Sequence, residues 1–167
     1  MSANTTHTAN LTYTSDKVHA ALTGREFWDY VAENLISAPA EITEFTNDGN
    51  RTNVSLKQTV NADMAPDAAK KFVKKDMIVT INSSWSPLSD GTADSTYTGE
   101  VQGMPVSFSG TQKLSPEGDA SKIDTDINLT VKVPMFGGVI EGKAIEGMPR
   151  VFGKITRLLN DYLAQQG

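Results

Sequence analysis

Ile123, Thr125, Ile127, Leu129, Val131 and Val133 alternate with Asp124, Asp126, Asn128, Thr130 and Lys132. Successive side chains of a strand point to opposite faces, so a period of two predicts a strand with one buried side. The same alternation recurs upstream. Met104, Val106, Phe108, Gly110, Gln112 and Leu114 share one face, as do Tyr97, Val101 and Gly103 against Thr96, Thr98, Glu100 and Gln102. Met77, Val79, Ile81, Ser83 and Trp85 form a third set, and Val54, Leu56, Gln58 and Val60 a fourth within 51–60. A strand over 40–46 precedes it through Asn47-Asp48-Gly49-Asn50, where Asp-Gly between alternating runs signals a hairpin. Turns follow at Pro87 with Ser89-Asp90-Gly91, near Gly103, and at Ser115-Pro116-Glu117-Gly118. At the start, Ala9, Leu11 and Tyr13 alternate with Thr8, Asn10 and Thr12, predicting a first strand.

After Pro134 the period changes. Ile140, Ala144, Met148, Val151, Phe152, Ile155, Leu158, Leu159, Tyr162 and Leu163 recur at steps of one, three and four, one stripe of a helix over Met135–Gln165. At ~1.5 Å per residue it is about 45 Å long. Pro149 removes a backbone donor and crowds the carbonyl of Ile145, which predicts a kink or break near Gly147-Met148-Pro149. Gly137, Gly138, Gly142, Gly147 and Gly153 each cost roughly 1 kcal/mol against Ala. They suit either close packing or a helix that lids a cavity and shifts at the proline. Two shorter helices follow the first strand. Ser15 or Asp16 caps Lys17–Leu22, and Thr23-Gly24-Arg25-Glu26 reads as a capping box before Phe27, Trp28, Val31 and Leu35, with Pro39 as the stop. A further short helix is predicted from Pro66 through Phe72. Consecutive hairpins imply an antiparallel sheet, and one long helix over its apolar face gives a two-layer α+β domain spanning 1–167.

Composition narrows the class. The 167 residues suffice for one core, carry a net charge of −5 and include no cysteine, which excludes disulfides, a thiol nucleophile and a cysteine zinc site. The acidic balance and the lack of a basic, aromatic-interleaved stripe speak against nucleic acid. No apolar run reaches the roughly 18 residues of a membrane span, and the first residues have no signal-peptide pattern, so a cytoplasmic location is expected. His7 and His19 lack ligand spacing; His7 falls near a flexible start and His19 on a short helix, both read as surface, and no metal or other cofactor is expected. Asp124 and Asp126 take the outward parity of a solvated face. Lys70, Lys71, Lys74 and Lys75 around Phe72 and Val73 form the one basic cluster, which suits a solubilising loop or transient contact with an anionic membrane surface.

The element order resembles the START-like superfamily (SRPBCC, helix-grip or birch-allergen-like), and local features resemble an uncharacterised branch of it common in actinobacteria. The likeness rests on three stretches: Tyr13-Thr14-Ser15-Asp16-Lys17-Val18 before the Arg25-Glu26-Phe27-Trp28 helix, the Pro66 helix leading to a strand ending at Trp85, and Lys132-Val133-Pro134-Met135-Phe136-Gly137-Gly138-Val139-Ile140-Glu141 opening the last helix. It covers essentially the whole chain; Pro149 and Gly153 inside the helix depart from it. It implies a curved seven-stranded antiparallel sheet wrapped around the long C-terminal helix, two short helices after strand one, and a hydrophobic cavity used by many members for lipids, polyketides or other apolar ligands. Some branches are cyclases or hydrolases and others bind proteins.

On that fold, Gln58, Ser83, Tyr97, Gln112 and Thr125 are polar residues of inward parity, while Leu56, Met77, Trp85, Val106, Phe108, Ile127, Met148, Phe152 and Ile155 are candidate apolar walls. An unpaired buried polar group costs roughly 1–3 kcal/mol. The polar set therefore either orients a ligand, pairs internally, or sits near water at strand ends. Three functions fit: a carrier of an apolar small molecule or lipid; a cyclase- or dehydratase-type enzyme with Tyr97 or a buried acid such as Glu44 as proton donor; or an interaction module with a filled core and an apolar patch at the Phe136 end.

Overall fold

The computed structural model describes residues 2–34, 40–60, 76–102, 105–132 and 137–166; in the last segment side chains are described at 142, 145, 146 and from 152 onward. The elements run β1 (Ser2–Leu11), α1 (Ser15–Leu22), α2 (Arg25–Asn34), β2 (Ala40–Asn47), β3 (Thr52–Val60), β4 (Met77–Trp85), β5 (Ala93–Gln102), β6 (Val106–Glu117), β7 (Ala120–Val131) and α3 (Gly137–Gln166). The strands form one curved antiparallel sheet in the order β1-β7-β6-β5-β4-β3-β2, with α3 lying along β1 and β7. This is an α+β helix-grip architecture. The expected Pro66 helix, the four lysines, Phe136 and the side chain of Met148 lie outside the described residues.

Alternation accounts for β5 and β7. Ala93, Ser95, Tyr97 and Gly99 are buried between exposed neighbours, and in β7 Ser121, Ile123, Thr125, Ile127, Leu129 and Val131 are buried. The buried core joins these faces to α1, α2 and the last turns of α3 through Val18, Leu22, Phe27, Trp28, Val31, Leu114, Leu158, Leu159 and Leu163. Phe27 packs edge-on to Trp28 and to Tyr162 at 5.1 and 5.5 Å, and the Trp28 indole N–H donates to the Leu22 carbonyl at 2.8 Å. These contacts fasten α1 and α2 to the C-terminal end of α3.

Several local expectations are revised. β1 begins at Ser2 and pairs with β7 from Ser2↔Thr130 to Leu11↔Ser121, so His7 is a strand residue opposite Thr125. Tyr13 follows the strand, its carbonyl accepting from the Ser121 hydroxyl at 2.8 Å. The Thr23 hydroxyl donates back to the His19 carbonyl at 2.8 Å and so closes α1, the opposite of a box opening α2. His19 is held by a 2.8 Å hydrogen bond between Nε2 and the Ser86 carbonyl. β6 continues through Pro116 to Glu117, and the turn is Gly118-Asp119, with Gly118 at φ +61°. Of the kink or break expected at Pro149, the break does not occur: α3 is one helix from Gly137 to Gln166. Proline lacks only one intrahelical donor, and the anchored stripe downstream supplies tertiary stabilisation that isolated propensity omits.

A candidate ligand-binding cavity under the last helix

A pocket lies between the inner face of the sheet and α3. Its walls come from β1 (His7, Ala9), the helical prop (Leu22, Trp28), β3 and β4 (Val54, Leu56, Ile81, Ser83, Trp85), β5 to β7 (Tyr97, Phe108, Gln112, Ile123, Thr125) and α3 (Phe152, Ile155, Thr156, Leu159). About 70 Å³ of it is open to the centre of a water molecule. None of the described lining residues is Lys, Arg, Asp or Glu.

Two glycines shape this space. The Phe108 ring lies directly over Gly99, its neighbour on β5, where a β-carbon would overlap the ring. Gly110 faces Tyr97 across the β5–β6 pair and Ile127 across the β6–β7 pair. Without a side chain there, Tyr97 crosses β6 and donates its O–H to the Asp126 carbonyl of β7 at 2.7 Å. Tyr97 then stacks at a tilt on Phe152 of α3, with centroids 5.3 Å apart, joining the sheet to the helix. Burial, and secondarily the nearby Asp126 carboxylate, push the Tyr97 phenol well above its ordinary pKa, so it stays protonated.

The polar groups are not scattered. Strand register aligns His7, Thr125, Gln112, Ser95 and Trp85 on one rung across β1, β7, β6, β5 and β4. The neighbouring rung toward the prop is Ala9, Ile123, Leu114 and Ala93. The Gln112 amide N–H donates to the Thr125 hydroxyl at 3.2 Å, and the buried Ser95 hydroxyl donates to the Thr96 carbonyl at 3.4 Å. The His7 Nε2 is buried with no hydrogen-bond partner, and its ring edge lies about 4 Å from where a β-carbon on Gly153 would sit.

Of the residues expected to form a site, Leu56, Trp85, Tyr97, Phe108, Gln112, Thr125, Phe152 and Ile155 line this pocket, as does Ser83 from the polar set. Gln58, Met77, Val106 and Ile127 do not. Gln58, Met77 and Val106 sit near strand ends, where β3 finishes and β4 and β6 begin. Ile127 shares the inner parity but is fully buried beside Gly110. His7, Ala9, Leu22, Trp28, Val54, Ile81, Ile123, Thr156 and Leu159 are lining residues that the sequence reading does not single out. The inward parity of Val54, Ile81 and Ile123 is legible; the positions of His7, Leu22 and Trp28 depend on how β1 and the prop dock.

Glu44 is exposed on the outer face, beside Asn53, Asn82 and Thr96, and has no place in the cavity. A register shift between Ile42 and Glu44 reverses the parity, so that Ile42 and Phe45 both reach the core. Among the described residues no cluster of His, Asp or Glu could hold a metal ion, and no helix is long and apolar enough to cross a membrane.

Comparison with known proteins agrees with this architecture. The chain is 24% identical over 136 residues to the uncharacterized protein Rv0481c of Mycobacterium tuberculosis (strain ATCC 25618 / H37Rv), covering 75% of this chain and 76% of that protein. It superposes on TTHA0849 from Thermus thermophilus with a TM-score of 0.66 at 14% identity, covering 99% of each chain. A START superfamily protein from Mycobacterium smegmatis gives 0.55 at 13% identity, over 98% of this chain and 99% of that one. At such identities the structures share a fold and nothing finer. With residues 6–163 matching the family model described as "Protein of unknown function (DUF2505)", the chain belongs to that family, on a START-like helix-grip fold.

Proposed function

We propose that the protein binds a small, predominantly apolar molecule between the sheet and α3. The observation that carries this reading is the pocket itself. It is walled by Trp28, Trp85, Tyr97, Phe108 and Phe152 with aliphatic neighbours, in the concave and mostly apolar form typical of ligand sites. Its size favours a compact one- or two-ring compound over a long lipid chain. The open space beneath α3 favours this reading over an interaction module with a filled core. The proton-donor reading is weakened, because Glu44 lies outside and the Tyr97 O–H is committed to a main-chain carbonyl.

The chain contains two tryptophans, and both line the pocket. Intrinsic fluorescence therefore reports occupancy directly. Titration with compact aromatic compounds is expected to give a saturable change, and native mass spectrometry of freshly purified protein a discrete mass increment released on denaturation. An unaltered spectrum and a bare mass across a panel of such compounds would remove the reading.

A further inference from the structure

The walls explain why an apolar molecule would enter; they do not explain a polar rung beneath it. We propose, building on the binding function above, that His7 with Thr125 and Gln112 anchors a neutral hydroxyl group carried by a ring-shaped ligand. The preferred ligand class is thus phenols and compact cyclic alcohols.

Among the described residues two buried polar atoms have no partner, His7 Nε2 and Lys154 Nζ; Lys154 is not among the pocket walls, so His7 and its neighbours select this class. The His7 Nε2 is shut away from solvent and unpartnered, and in apolar surroundings such an atom is costly unless something meets it. His7 opposes Thr125 on β7, and Thr125 opposes Gln112 on β6. The Thr125 oxygen accepts from Gln112, which leaves its own hydrogen and the Gln112 carbonyl oxygen available. The Tyr97 oxygen, having donated to Asp126, retains lone pairs. The rung therefore offers both roles within one patch, and a hydroxyl, which donates and accepts at once, matches it. A hydrocarbon would leave the rung unmet. A carboxylate would enter a pocket whose described walls hold no Lys or Arg, and desolvating an anion without a counter-charge is heavily unfavourable. The aromatic walls line the same pocket as His7, Thr125 and Gln112, so a ring held against Tyr97 and Phe152 carries its hydroxyl toward the rung, where the His7 imidazole turns from Gly153 to meet it.

The test compares 2-naphthol, naphthalene and 2-naphthoate by tryptophan fluorescence on the wild-type chain and on His7→Phe, His7→Gln and Thr125→Val. The expected result is 2-naphthol binding about tenfold more tightly than naphthalene to wild type, roughly the worth of one net hydrogen bond of 1.4 kcal/mol. His7→Phe should erase that preference while still binding naphthalene, and His7→Gln should restore part of it. With two histidines in the chain, ¹⁵N imidazole spectra separate them: Nε2 of His7 should shift with 2-naphthol and not with naphthalene, and His19 should stay still. Equal wild-type affinity for naphthol and naphthalene, or a preference that survives both His7→Phe and Thr125→Val, overturns the anchor but leaves apolar binding intact. Tighter binding of 2-naphthoate overturns the neutral-hydroxyl assignment. Failure of every probe on folded wild type overturns the binding function together with the anchor.

Discussion

Replacing Gly110 with alanine probes the close approach on which the pocket floor depends. The added methyl would overlap the Asp126 carbonyl of β7 and come within 2.7 Å of the Tyr97 hydroxyl. The first obstacle is main chain held in the β6–β7 ladder, so it cannot swing aside as a flexible side-chain tip would. Overpacking of this kind costs about 1–3 kcal/mol. Forcing Tyr97 off its acceptor strands a buried hydroxyl and a carbonyl, adding about 1–3 kcal/mol. The sum is about 2–6 kcal/mol, a large share of the 5–15 kcal/mol typical of a domain. For a chain of this size each kcal/mol lowers Tm by roughly 2–4 °C, so a mid-range loss of about 4 kcal/mol means a fall of about 8–16 °C. Differential scanning calorimetry measures this, with Tyr97→Phe as the control. Tyr97→Phe alone removes only the hydroxyl and should cost about 1 kcal/mol. In the Gly110→Ala background it should cost almost nothing further, because the bond is already broken. A Tm drop under about 2 °C for Gly110→Ala, or full additivity of the two changes, would refute the crossing of β6 by Tyr97.

Two further outcomes follow from the same region. The Tyr97 phenol has its pKa raised in the fold above its ordinary value of about 10, so the native state holds that proton more tightly than the unfolded chain. Its contribution is complete below about pH 10 and is lost as pH rises toward the folded value; wild-type Tm should therefore fall more steeply above pH 10 than that of Tyr97→Phe, and parallel curves would contradict the assignment. Gly99→Ala collides with the Phe108 ring, a side chain able to rotate, so the ring should move into the pocket. Weaker ligand binding with a smaller Tm loss than Gly110→Ala is expected, and unaltered binding would show that Phe108 is not a wall.

The legible parts of this protein are those with a short sequence range. The period of two along Ile123–Val131, and the three-and-four spacing from Phe152 to Leu163, state which side of each element is buried, because pleat and helix pitch are local properties. Nine of the residues expected on the inner face, Ser83 among them, line the pocket for that reason. The sheet order is legible only as far as consecutive hairpins go. The pairing of β1 with β7, about 120 positions apart in sequence, is decided by burial of the whole face and not by any local pattern: Thr5, Thr6, His7 and Thr8 carry no hydrophobic alternation. Read locally, His7 therefore falls at a flexible start, when in fact it is a strand residue. Glu44 fails differently, since one bulge reverses parity for every residue beyond it.

By itself the sequence determined the inward faces of β3, β4, β6 and β7, the Asp48-Gly49 reversal between β2 and β3, and that a long striped helix must lie on the result. Tertiary structure alone decided the register that puts His7, Thr125 and Gln112 side by side, the two glycine gaps that let Phe108 and Tyr97 lie across the sheet, and the continuation of α3 through Pro149. Each of these is a contact between residues distant in the chain, or depends on one. Its free energy exists only once the sheet has closed beneath the helix, which is why no local pattern of residues announces it.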